Sequence, residues 1–197
     1  MTSNAQSSAS QTSAMQGGVL AAAGAAVLGA ASTLGDWIWL HFLTDGSIVA
    51  GVAHGLIFFL LLAVIFAFSV GTPTAWRRLL PTLPLCGFLL AGAIYPIALA
   101  VGYLPALMVT WVAMWLLLAL LLRWALAESA EAGGVRRALL RALLAAVGSG
   151  LAFWMISGIW TSPSGADPLT AQRFGAWTFA FAPGLLALLV GQALRRT

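Results

Sequence analysis

The chain alternates between long apolar blocks and short polar joints. By inspection the blocks cover residues 17–40, 47–70, 79–101, 104–127, 138–160 and 174–194, and none shows the period-two alternation of a barrel strand. Each is long enough, at about 20 residues per crossing, to span a hydrocarbon layer about 30 Å thick as a helix. A helix also satisfies every backbone polar group within its own segment, which a lipid surrounding demands. The pattern predicts an all-α fold: a polytopic membrane bundle of six transmembrane helices forming one domain over residues 17–197. Residues 1–16 are Met, Thr, Ser, Asn, Ala and Gln without a single charge, and that composition predicts a disordered polar tail.

Composition turns the pattern into a membrane assignment. Of 197 residues, 61% are hydrophobic and 7% charged, with mean hydropathy +0.99, where an ordinary soluble domain carries about 25% charged residues. Within the first block the run 17–32 ends in Ala30-Ala31-Ser32, which resembles a cleavage site, but no basic residue precedes it. It is therefore read as a retained first helix rather than a signal peptide. Cys86 is the only cysteine, which excludes an intrachain disulfide and a zinc site of several thiolates.

Charge gives an orientation. The basic residues are nine arginines and no lysine, against five acids. An N-in, C-in topology gathers Arg77, Arg78, Arg123, Arg136, Arg137, Arg141, Arg195 and Arg196 on the cytoplasmic side and leaves only Arg173 outside. Arginines placed singly or in pairs between apolar runs orient a membrane protein; they do not form the one basic face of a nucleic-acid binder, so no nucleic-acid partner is expected. Arginine without lysine, among abundant Ala, Leu and Gly, fits a GC-rich bacterial genome and hence the cytoplasmic membrane.

Small residues and aromatics suggest how the helices meet. Gly17, Ala21, Ala25, Gly29 and Thr33 recur every four residues on the first helix, and Ala142, Ala146 and Gly150 on the fifth. Such stripes let backbones approach closely and would serve intramolecular packing or a homo-oligomer equally well. Pro84 and Pro96 in the third helix and Pro183 in the sixth are expected to kink or unwind it locally. Trp37, Trp39, Trp76, Trp124, Trp160 and Trp177 fall near helix ends, as an aromatic belt would. Trp111 and Trp115 lie deeper, one turn apart, where they would line a cavity or pack in the core.

The candidate chemistry is sparse. Ionisable groups at membrane depth are costly and mark a function or a specific interhelical pair. Asp36, near the outer end of the first helix, and His54, inside the second from the same side, would come to similar depth in an antiparallel hairpin. Such a pair would clasp two helices, relay a proton or bind a ligand's polar group. His41 and Asp45 follow no helical metal motif with them, so no metal and no cofactor are expected. GxSxG, HExxH and phosphate-loop patterns are absent, which argues against an enzyme. The candidate ligand-binding residues are Asp36, Trp37, His54, Trp160 and Thr161.

Thr161-Ser162-Pro163 after the fifth helix, Arg173 opening the sixth and Gly191 four residues before Arg195 resemble the Insig family of six-span membrane proteins. Animal members of that family reside in the endoplasmic reticulum and bind oxysterols. The resemblance implies a lipid or sterol-like ligand held between helices without catalysis; the animal partner proteins do not carry over, because their contact residues are not matched. The sequence thus points to a lipid-binding multi-pass protein, with a lipid-modifying enzyme or small-molecule transporter using Asp36 and His54 as the alternative.

Overall fold

A computed structural model describes residues 2–42, 48–125, 132–156 and 169–193. Its elements are six helices: α1 (Thr2–Phe42), α2 (Ile48–Val70), α3 (Pro73–Val101), α4 (Tyr103–Ala125), α5 (Ala132–Ile156) and α6 (Ala171–Ala193). All six carry a stretch long and apolar enough to cross a membrane, and no strand occurs among the described residues. The protein is a multi-pass, all-helical membrane bundle. Trp160 and Thr161, with Asp45 and the Thr-Ser-Pro tripeptide, lie outside the described residues.

Two joints are unusually short, and each is sharpened by a glycine. Gly71, at φ 69°, ends α2 and donates its N–H to the Ala67 carbonyl. Thr72 then caps α3, its hydroxyl accepting from the Ala75 N–H at 3.2 Å, with Pro73 as the first helical residue. At the other end Gly102, at φ 90°, is the single residue between α3 and α4. Positive φ suits glycine because it has no Cβ to clash.

Two expectations differ from what is observed. α1 begins at Thr2, so the stretch read as a disordered tail is helical from there on. No proline or glycine interrupts it before Gly17, and lengthening an existing helix adds one hydrogen bond per residue without a new nucleus. The proline-bearing helices are also not unwound at these positions, α3 running as helix through Pro84 and Pro96 and α6 through Pro183, so a kink is the form left to the expected distortion. Near Pro183 a neighbouring helix supplies a donor: Ser149 of α5 hydrogen-bonds the Ala180 carbonyl at 2.5 Å, the kind of compensation that lets proline persist in membrane helices.

Each helix packs on its neighbours in sequence, and α6 closes on α1, so the six form a ring. The α1–α6 seam is the most extensive and the α1–α2 seam the thinnest. The small-residue stripe explains the first. Ala21 and Ala25 are fully buried, and a Cβ on Gly29 would meet the Thr178 hydroxyl and lie 3.2 Å from the Phe174 carbonyl of α6. α5 meets α4 through its stripe residue Gly150, against Val112, and meets α6 through Gly148, against Pro183. α2 and α3 cross where Gly55 and Gly87 face each other's backbone. Close approach of this kind drives helix association in lipid, where apolar burial offers little gain.

Candidate functional site

The ring brings one end of α1 against the start of α6, and there the polar chemistry gathers. The Arg173 guanidinium Nη1 lies 3.3 Å from Asp36 Oδ2, and the Trp177 indole N–H donates to the same oxygen at 2.9 Å. Arg173 and Trp177 are four residues apart, so one face of α6 presents both to α1. The start of α6 is fixed by Thr170, whose hydroxyl accepts from the Arg173 N–H at 3.1 Å. Both bonds to Asp36 fall on Oδ2, so Oδ1 is the oxygen placed for a further donor.

His54 joins this group from α2. Its ring packs on Gly35, so closely that a Cβ there would overlap it. The absence of a side chain at Gly35 is what admits the imidazole beside Asp36. The histidine stacks on Phe58, ring centres 6.5 Å apart, and Phe58 packs on Phe181 at 5.1 Å. Phe181 lies parallel to Trp177 at 5.8 Å, which returns to Asp36. A run of contacts thus joins α1, α2 and α6, meeting α1 at Gly35 on one side and at Asp36 on the other.

Below the carboxylate these contacts broaden into an aromatic floor. Trp111 of α4 stacks on Phe153 of α5 at 4.2 Å and packs on Phe181 at 5.0 Å. Its indole N–H donates to Ser149 Oγ at 2.9 Å and to the Ser149 carbonyl at 3.1 Å, and the Ser149 hydroxyl in turn donates to the Ala180 carbonyl. One hydrogen-bond line therefore crosses α4, α5 and α6.

The other candidates fall in different places. Trp37 is half-buried beside Asp36, its ring 4.7 Å from that of His41, whose Nδ1 lies 2.9 Å from the Trp37 carbonyl. Trp115 is fully buried under Gly184 in the core, and Trp154 is exposed. The pattern reading passed over Arg173 and Trp177 as partners of Asp36. The signal was present: Arg173 is the lone arginine on the minority side and stands one turn from a tryptophan. Among the described residues, no three metal-binding side chains converge.

The arrangement can hold a polar group by charge and hydrogen bond at the edge of a packed aromatic cluster, in which Phe58, Trp177 and Phe181 are buried. Comparison with known protein families, with curated proteins and with solved structures finds no match for the chain, and the functional reading rests on this chemistry.

Proposed function

We propose that the protein binds a lipid or sterol-like amphiphile between its helices without transforming it. The polar group would meet Asp36, Arg173 and His54, and the apolar body would lie against Trp177, Phe181 and Phe58. The observation that carries this reading is the Asp36–Arg173 pair. It sits in the last turn of one span and the first turn of another, yet its side chains remain 18% and 20% exposed. A pair made only to clasp two helices gains from full enclosure, whereas one that stays accessible at headgroup depth can exchange a partner. A lateral route from the bilayer would run through the α1–α2 seam beside His54, the thinnest in the ring.

Trp37, Trp160 and Thr161 belong to the same proposed site, and the Insig-like tripeptide makes a sterol-like amphiphile the preferred class. The proposed setting is a bacterial cytoplasmic membrane with both termini inside. The α1 small-residue stripe is occupied by α6, so a homo-oligomer would use another face. The test is native mass spectrometry and lipid extraction of the purified protein, with melting followed across a panel of phospholipids and sterols. Retained amphiphile that is lost on Asp36→Asn is the expected result. No retained lipid, and melting indifferent to the panel, would overturn the reading.

A second reading, a transporter or lipid-modifying enzyme, draws on His54 lying against Gly35 next to a carboxylate. It requires proton exchange between the two. Under it His54→Gln abolishes flux or turnover in a protein that still folds; under amphiphile binding the same variant changes only affinity.

A further inference from the structure

The opposite end of the bundle holds a guanidinium whose bonding is incomplete. Arg141 lies on α5, five residues into the apolar span Arg136–Ile156, about 7.5 Å along the axis from its first residue. It is seven residues before Gly148, two turns, and so shares a face with it. A Cβ on Gly148 would lie 3.2 Å from Pro183 of α6. Arg141 is thereby placed at the α5–α6 seam. Its Nη1 is shut off from solvent and has no hydrogen-bond partner.

An orphaned guanidinium N–H inside an apolar span is costly, because a desolvated donor needs an acceptor or a counter-charge, while the part-exposed remainder of the Arg141 side chain leaves the group open to a partner from outside the chain. This chain offers Arg141 neither among the described residues. Its electrostatic neighbour one turn away is Arg137, of like sign. The one described carboxylate, Asp36, is at the other end and paired with Arg173. Arg78 at the same end shows what a satisfied arginine looks like. It donates to the Trp124 carbonyl at 2.8 Å and lies 5.1 Å from the centre of that indole ring.

We propose that Arg141 binds the phosphate of an anionic membrane phospholipid seated in the α5–α6 seam. A guanidinium fork matches phosphate geometry, and Arg137 adds a second positive charge toward the aqueous side. The seam continues into the bilayer as an apolar track. Leu144, Leu151 and Met155 of α5 are 57%, 60% and 68% exposed, and Phe179 and Leu186 of α6 flank Pro183 with 47% and 43% exposed. Gly148 and Pro183 close the seam between these two rows, so an acyl chain would lie along its lipid-facing side. A free anion would have to shed its water among leucines to reach Nη1, whereas a lipid brings its phosphate to this depth already anchored. This site is separate from the amphiphile site at Asp36, and either can fail without the other.

The experiment compares phosphatidylglycerol with phosphatidylcholine, added to detergent-purified protein and followed by native mass spectrometry and melting. The wild type is expected to retain phosphatidylglycerol over phosphatidylcholine by about five-fold, the size of one arginine's attraction to an anionic lipid. Arg141→Gln should lose that preference. Arg77→Gln, which removes the same charge from an exposed position at the same end, should keep it. A wild type with no preference overturns the proposal whether or not the variant folds. So does an Arg141→Gln protein that keeps the preference, or inorganic phosphate that stabilises the wild type as well as the lipid does.

Discussion

The two ends of the bundle are built on different principles. At the Asp36 end, helices are joined by directed contacts: the carboxylate to Arg173 and Trp177, and Trp111 through Ser149 to Ala180. Toward the arginine end the buried side chains are Leu62, Phe66, Leu79, Leu118, Leu185 and Leu189 with intervening alanines, and shape dominates in the interior, with the Arg78–Trp124 bond lying at the exposed edge. Hydrogen bonds and ion pairs have direction and can be exchanged for those of a ligand; dispersion contacts cannot select a polar group. The bonded end is therefore where a ligand's polar group can be recognised by exchange of bonds already made, whereas at the close-packed end the unpartnered Arg141 Nη1 is the exception to packing by shape.

The comparison breaks most visibly at Arg173. Arg173→Ala leaves Asp36 half-buried without its cation, and a loss of about 3 kcal/mol is expected, at the low end for a broken buried pair because a fifth of each side chain still meets solvent. Adding Asp36→Asn should restore most of it, since the amide oxygen can still accept from Trp177 without a stranded charge. The readout is unfolding in mixed micelles, run as a double-mutant cycle. Single and double variants of equal stability would mean that the ion pair does not hold this end together.

The contrast also explains what the residue pattern could disclose. The bilayer sets the length of every crossing, so six apolar blocks translate directly into six helices, and the four-residue stripe on α1 marked its packing face because close approach needs small residues wherever the partner comes from. The partner itself was not legible. His54 is the near neighbour of Asp36 along the chain, and the hairpin geometry pointed to it; yet the carboxylate bonds to α6, 137 and 141 residues away. That depends on ring closure of α6 on α1, which no local pattern encodes. Ser149 was hidden for the same reason: a serine within an apolar helix looks alike whether it bonds its own turn or two other helices.

Shape can be tested at Gly184. Trp115, fully buried, lies across it so closely that a Cβ would overlap the indole. Gly184→Val should cost about 2 kcal/mol through overpacking, displacing Trp115 with a change in tryptophan fluorescence. It should leave lipid retention at the Asp36 end intact if the two halves act separately. A neutral Gly184→Val would show that the close-packed half is looser than its contacts imply.

The finest distinction is between two hydroxyls that differ only in bonding. Ser149 Oγ, on a fully buried residue, accepts from Trp111 and donates to Ala180, whereas the buried Thr178 Oγ1 beside Gly29 has no partner. Ser149→Ala leaves a carbonyl near Pro183 without its side-chain donor and takes one of two acceptors from the Trp111 N–H, and about 1 kcal/mol of destabilisation follows. The loss is held down because Trp111 keeps its second acceptor, the Ser149 carbonyl at 3.1 Å. Thr178→Val keeps the shape and deletes an unsatisfied group, so its stability should equal or exceed that of the wild type. If both variants lose the same amount, burial rather than bonding governs hydroxyls in this bundle. The division into a bonded end and a packed end would then have no energetic basis.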